Sequence, residues 1–557
     1  MPTCKQCTTD FPITDADKTF YAKMDVPAPT WCPACRHQRR LAWRNERTLY
    51  QRQCDFSGRP TISAFSPDSG LVVYDQRDWW GDGWDPLEYG REFDFSRPFF
   101  EQFQQLQQVV PHFSLYNINP VNSDYINFGI DNKNVYLGFS SVRCEDCYYC
   151  ANITDVRDCV DCLFTHDRSE LCYETVDVND CYHGSYLQEC DGLTDCAFCY
   201  DCRGCTECFG CVNLRNRQHC WFNEQLSERE YRLRRSQLDL GSYTVVEQLK
   251  EKFKQHCLSQ PHRFAVLTKS VDCNGDHLYN SKNLQSCFDC LGCEDGVYCY
   301  RAMNAKDIRD CYGLLDSELI YESMASAQHN VAFSVQSYFD EHIRYCDLCF
   351  SCTHCFGCIS LRHKQYCLLN KQYTEAEYRQ LVPKIVEHMK TTGEWGQFFP
   401  AALSPFGYNE TLAMEEFPLS QETALAKGFR WNDNLPFSSG QETMKPGDLP
   451  DHIKDVPDSI VSEVLLCMQC NKNYKIIPQE LKFYRQQGLA LPRRCFSCRH
   501  ANRLHLRNPR RLYPRQCMCE QVGHQHIGRC SVEFETTYAP DRPERVYCEE
   551  CYQKEIY

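Results

Sequence analysis

Residues 196–211 read CAFCYDCRGCTECFGC, six cysteines at every third position. A beat of three fits neither the 3.6-residue turn of a helix nor the two-residue alternation of a half-buried strand. Outward from it, Cys172, Cys181, Cys190, Cys199 and Cys208 recur every nine residues, and 28 of the 42 cysteines lie between positions 112 and 370. The residues between them are rich in Tyr, Phe, Asp and Asn and poor in Ala and Lys, which favours short strands and turns over helices. NVYLGFSS and SELCYETVD read as single rungs. Short repeats of this kind bury a face only when stacked, so the middle of the chain is expected to be a parallel β-solenoid. With coils of ~18–20 residues, each half would hold about five or six.

The solenoid is written twice. KNVYLGFSSVRCEDCYYC (133–150) answers NLQSCFDCLGC (283–293), and SELCYET (169–175) answers SELIYES (317–323). CFGCVNLRNRQHCWFNEQLSEREY (208–231) answers CFGCISLRHKQYCLLNKQYTEAEY (355–378). Each half closes on a helix, for which Ser227/Glu230 and Thr374/Glu377 have capping-box spacing. A narrow coil admits only slim side chains, and cysteine behaves there as a small hydrophobe. Ile320 stands where the first half has Cys172, a replacement a ligand site would not tolerate. Core filling is therefore the favoured role for most of these cysteines. The arrays Cys196–Cys211 and Cys346–Cys358 keep a metal or redox role open, although the CxxxCP ending of a ferredoxin run is missing.

The ends carry different chemistry. Cys4-x2-Cys7 and Cys32-x2-Cys35 are separated by 24 residues, and so are Cys467-x2-Cys470 and Cys495-x2-Cys498. Two such turns present four thiolates in a tetrahedron, filling every position of a structural Zn²⁺ site. Around these ligands, KTFYAKMDVPAPTWCPACRHQRRLAWRNERTLYQRQC matches LKFYRQQGLALPRRCFSCRHANRLHLRNPRRLYPRQC. Both segments resemble the bacterial zinc-ribbon (treble-clef-like) domain, and the whole chain resembles uncharacterised cysteine-rich zinc-ribbon proteins of small-genome bacteria. That resemblance implies zinc and no activity. The C-terminal copy continues through Cys517, Cys519, His524, His526 and Cys530 to Cys548-x2-Cys551, similar to a second small ribbon. Cys530, Cys548 and Cys551 are the best ligands there; Cys517, Cys519 or His526 would be the fourth. About three zinc ions per chain are expected. In the N-terminal copy Ser57, Asp75 and Asp78 replace three of these cysteines and only Cys54 survives, which reads as a ribbon that lost its metal.

Each second CxxC is followed by arginines at helical spacing: Arg36, Arg39, Arg40, Arg44 and Arg47, then Arg499, Arg503, Arg507, Arg510 and Arg511. Guanidinium groups on one face suit phosphate, with Trp43, Tyr50 and Tyr513 available to stack on bases. The alternative is a helix docked on the acidic remainder of the protein, since 75 Asp and Glu outnumber 60 Lys and Arg. DWWGDGWDPLEYG (78–90) is either a binding surface or a loop packed on a domain edge. Residues 393–460 read as an extended connector lying against the solenoid.

The start, MPTCKQC, lacks the basic and apolar regions of a secretory signal, and no stretch is long and apolar enough for a membrane span. A cytoplasmic protein with reduced or metal-bound thiols and no membrane partner is the expectation. No GxSxG, Walker loop, Rossmann glycine signature or HExxH occurs, and His112, His166 and His277 lack a partner pattern, so no enzyme is expected. The architecture expected is mainly β: a zinc-ribbon with an arginine helix (1–53), a degenerate ribbon and connector (54–111), solenoid halves at 112–225 and 265–372 joined by helices (226–264), a helix and linker (373–460), and a double zinc-ribbon (461–557). The function expected is a non-catalytic zinc scaffold binding RNA before DNA through the arginine helices. The alternatives are a protein–protein scaffold using the solenoid face, or a metal- or redox-holding protein.

Overall fold

The computed structural model describes residues 1–557 except Asp167 and Ser326. It is strand-rich, with twelve α-helices, several small sheets and no closed barrel among those residues. Two long ladders dominate. The first stacks eight parallel strands in chain order, from Asn117–Ile118 to Ala197–Tyr200. The second stacks nine, from Lys282–Gln285 to Lys371–Gln372, the last pairing antiparallel.

The usual step between rungs is twelve residues, with one of thirteen from Leu163 to Val176 and one of eleven from Glu318 to His329. Ser185 pairs with Ala197, Lys282 with Glu294 and Thr353 with Gln365. Bridges such as Arg203 to Arg215 and Tyr300 to Tyr312 repeat the step elsewhere around the rung. This corrects the 18–20-residue coil expected from sequence. The chain climbs one strand spacing, about 4.8 Å, for every twelve residues.

The three-residue beat is the length of one side. Asn134, Leu137, Ser140, Arg143 and Asp146 all have φ between 50° and 54°. Left-handed backbone costs a non-glycine residue about 1–2 kcal/mol, and Asn and Asp bear it best. Bonds from rung to rung offset part of that cost: Asn122 donates to Asn134 and Asn134 to Asp146, each at 3.0 Å. The residue after each of these corners is buried, as Val135, Ser141, Cys144 and Cys147 are. Four sides of three residues thus turn four side chains inward per rung, leaving room only for small or slim ones.

Cysteine suits this interior for a further reason, because the rung carbonyls lie within reach of its thiol. Cys190 Sγ donates to the carbonyls of Gln188 at 3.2 Å and Cys199 at 3.4 Å. A carbonyl nine residues ahead is one rung on and one side back. Burial pushes the Cys181 and Cys190 thiols well up, so they stay protonated. Cys172 and Ile320 are both fully buried.

Helices Glu228–Ser236 and Glu375–Thr391 follow the ladders. Thr374 and Glu377 form the reciprocal capping box, whereas at Ser227 only the hydroxyl cap is made. In the 78–90 segment Trp79 is fully buried against Phe113 and Phe350, with the Arg362 guanidinium over its ring. That segment is packed on the ladder edge. Residues 393–460 hold the short helices Leu412–Glu416 and Gln421–Ala426, and Phe399 packs on Trp43 and Tyr345.

The terminal modules cross over. The helix Pro33–Leu41 of the N-terminal module docks on the second ladder, and Phe496–Leu504 of the C-terminal module docks on the first. Between them, neighbouring residues of helix Leu412–Glu416 serve the two copies alike: Glu416 faces His37 at 3.0 Å and Glu415 faces His500 at 3.4 Å.

Candidate metal centres and the arginine helices

In each terminal module the first CxxC is a turn and the second opens a helix. Thr8 N donates to Cys4 O and Cys4 N to Thr9 O, both at 2.9 Å, which brings Cys4 and Cys7 to one side. Cys32 stands at the N-cap of its helix and donates its N–H to Cys4 Sγ at 3.1 Å. The C-terminal module repeats this with Cys495 N and Cys467 Sγ at 3.2 Å. The facing sulfurs are 3.6 Å apart for Cys7 and Cys32, and 3.7 Å for Cys470 and Cys495. Four thiolates around one Zn²⁺ at ~2.3 Å stand about 3.8 Å apart, whereas a disulfide requires about 2.05 Å. Burial raises the Cys467 thiol, but N–H donors from Cys495, Cys470 and Gln469 draw it down to about 7. The quartets Cys4, Cys7, Cys32, Cys35 and Cys467, Cys470, Cys495, Cys498 can each hold a metal ion, with no position left open.

The last module contains two further groups. Cys517, Cys530, Cys548 and Cys551 form a buried quartet, which makes Cys517 the fourth member of the site expected there. Cys548 N donates to Cys517 Sγ at 3.2 Å, the same contact as in the other quartets. Cys519 and His526 instead join His524 and Cys551 in a second group. His524 was not foreseen as a ligand, although Cys519-x4-His524-x-His526 carries the signal.

The degenerate copy keeps the frame without the ligands. Asp75 N donates to Cys54 Sγ at 3.1 Å, as in the intact modules. Asp78 accepts from Ser57 at 2.6 Å and from Arg59 at 2.7 Å, while Thr61 and Arg77 hold Asp75. Guanidinium and hydroxyl groups of the same copy thus hold both carboxylates.

The arginines are placed otherwise than an exposed phosphate face requires. Arg36 reaches Asp310 at 2.7 Å and Arg39 reaches Glu322 at 2.8 Å; Arg40 lies 3.6 Å from Asp310. In the second copy Arg499 and Arg503 meet Asp161 at 2.9 and 3.2 Å. Arg507 bridges Asp177 of the first ladder and Asp289 of the strand Cys287–Leu291, which lies in a three-stranded sheet beside the second ladder, and Arg510 joins Asp289 to Glu416. Burial raises the Asp289 carboxyl, but Arg507 and Arg510 outweigh it and hold the group below the usual carboxylate range. Arg44 pairs with Glu46 at 2.6 Å, and Arg47 lies over the Phe139 ring. Of the ten, Arg511 is exposed, over Tyr513. Trp43 and Tyr50 are buried, and Tyr50 donates to Glu410 at 2.6 Å. The alternative of helices docked on the acidic remainder of the chain describes this arrangement.

Among the described residues, the groups able to hold a metal all lie in the terminal modules and none in the ladders. Every cysteine is free of disulfides. His112 is buried beside Phe65, and His277 sits between Asp276 and Asp177; the side chain of His166 lies outside the described residues. No protein-family model matches this chain, and no curated protein is similar to it. Among the described residues no helix is long and apolar enough to cross a membrane.

Proposed function

We propose that this chain is a non-catalytic binding scaffold in which zinc-ribbon modules fasten the two halves of a β-solenoid. The observation that carries the reading is the crossed docking of the arginine helices. The helix guanidinium groups are spent on the buried carboxylates of Asp310, Glu322 and Asp161, and Arg507, just past the second helix, on Asp177 and Asp289. Zinc is the ion best matched to four thiolates in closed tetrahedra. The ladder cysteines serve as interior filling, and the binding surface is the outside of the solenoid. There Leu291, Met303 and Leu315 stand exposed on successive rungs of the second ladder, an apolar ridge suited to a protein partner. This reading prefers a protein partner to RNA or DNA, because the arginines that suit phosphate already have partners.

The test uses the intact chain and the double variant Arg39→Gln/Arg503→Gln. The scaffold reading expects a lower unfolding midpoint and unchanged, weak retention on immobilised RNA across a salt series. Strong salt-sensitive retention by the parent, lost in a variant that stays folded, would establish the nucleic-acid reading instead.

A further inference from the structure

The group Cys519, His524, His526 and Cys551 shares one sulfur with the quartet Cys517, Cys530, Cys548 and Cys551. We infer that the last module holds two metal ions bridged by the Cys551 thiolate, so that the chain carries four ions rather than three. The inference rests on the zinc reading of the terminal quartets.

The distances fit. Cys519 Sγ is 3.1 Å from His524 Nδ1, and Cys551 Sγ is 3.5 Å from His526 Nε2. Sulfur and nitrogen bound to one tetrahedral Zn²⁺ lie about 3.5 Å apart. The rings are also oriented as ligands. His526 Nδ1 is 2.7 Å from the Gly528 carbonyl, which can only accept, so the proton sits on Nδ1 and the Nε2 lone pair faces Cys551. His524 turns Nδ1 to Cys519 and Nε2 towards the Glu555 carboxylate at 3.8 Å, the outer partner a metal-bound imidazole usually has.

The backbone gives an independent indication. Twelve residues separate Cys517 from Cys530, where the degenerate copy turns from Cys54 to Ser57 with two between. That insertion contains Cys519, His524 and His526. It has no helix or strand, and beyond Met518, which packs on the module at its start, its apolar side chains Val522 and Ile527 are fully exposed, so no core of its own folds it. A metal would staple it. A second dication, even with the Cys519 thiolate it recruits, lowers the net charge from the 2− of one Zn²⁺ with four thiolates to 1−.

The test is a metal count by native mass spectrometry and elemental analysis on the intact chain and on His524→Ala/His526→Ala. The result expected is four ions in the parent and three in the variant, with ¹¹³Cd-loaded parent showing two resonances coupled through the shared sulfur. Three ions in both proteins, with no such coupling, would overturn the bridged pair and leave the three quartets standing. Fewer than three in the parent would instead overturn the zinc reading of the quartets on which it rests.

Discussion

Asp310→Asn should weaken the protein severely, although it replaces one oxygen by nitrogen. Asp310 is fully buried and takes Arg36 at 2.7 Å and Arg40 at 3.6 Å. Its backbone φ of 54° suits asparagine as well as aspartate, so the substitution removes charge with little backbone strain. Three buried guanidinium groups would then share Glu322, which lies 3.4 Å from Arg36, 2.8 Å from Arg39 and 3.9 Å from Arg40. Removing one partner of a buried ion pair costs about 3–5 kcal/mol. The urea midpoint should fall by that free energy divided by the slope measured for the parent, a slope that grows with the surface exposed on unfolding. The assay is urea unfolding of the zinc-loaded chain followed by tryptophan fluorescence, to which the buried Trp43 near this helix contributes. An Arg36→Gln/Asp310→Asn double-mutant cycle should return a large coupling. A change within about 0.5 kcal/mol, the usual range for surface positions, would refute the crossed docking.

Cys172→Ala should cost roughly 1–2 kcal/mol through the cavity it leaves, with the metal content unchanged; a lost metal ion would make that cysteine a ligand. His112 is fully buried, and burial holds its imidazole down at about 4 against an ordinary 6.5. The folded state therefore prefers neutral His112, and its contribution is complete above pH 6.5 and lost as the pH falls towards 4. Between pH 7 and pH 5 the unfolding free energy should drop by roughly 2 kcal/mol more in the parent than in His112→Leu, and equal slopes would contradict this. Removing metal with a chelator should release the terminal modules to protease before the ladders, and simultaneous loss of both would show the ladders depend on metal.

The terminal quartets were legible because zinc spacing is local: Cys4 and Cys7, or Cys32 and Cys35, declare themselves within four residues. Strand character, the duplication and the interior place of Cys172 were legible for a similar reason, since each repeats along the chain. The rung length was not, because the interior recurs every three residues and nine is as good a multiple as twelve. Only pairings such as Ser185 with Ala197 distinguish them. The arginines are ambiguous for a different reason. Helical spacing places Arg36 and Arg40 on one face whether that face meets phosphate or carboxylate, and Asp310 lies 274 residues from Arg36. Choosing Cys517 over Cys519 as the fourth ligand likewise needed the backbone that carries Cys548 N to Cys517 Sγ.

The central claim is a division of labour between thiols that hold metal at the ends and thiols that fill the ladders. Thirteen of the 42 cysteines belong to the terminal metal groups, leaving 29. Elemental analysis of the intact chain, paired with thiol titration before and after denaturation, measures both halves of the claim. The account predicts zinc at no more than four per chain, with the 29 remaining thiols reduced and those of the ladders reacting only once the protein is unfolded. Iron, or more than four metal ions with a matching deficit of titratable thiols, would contradict it.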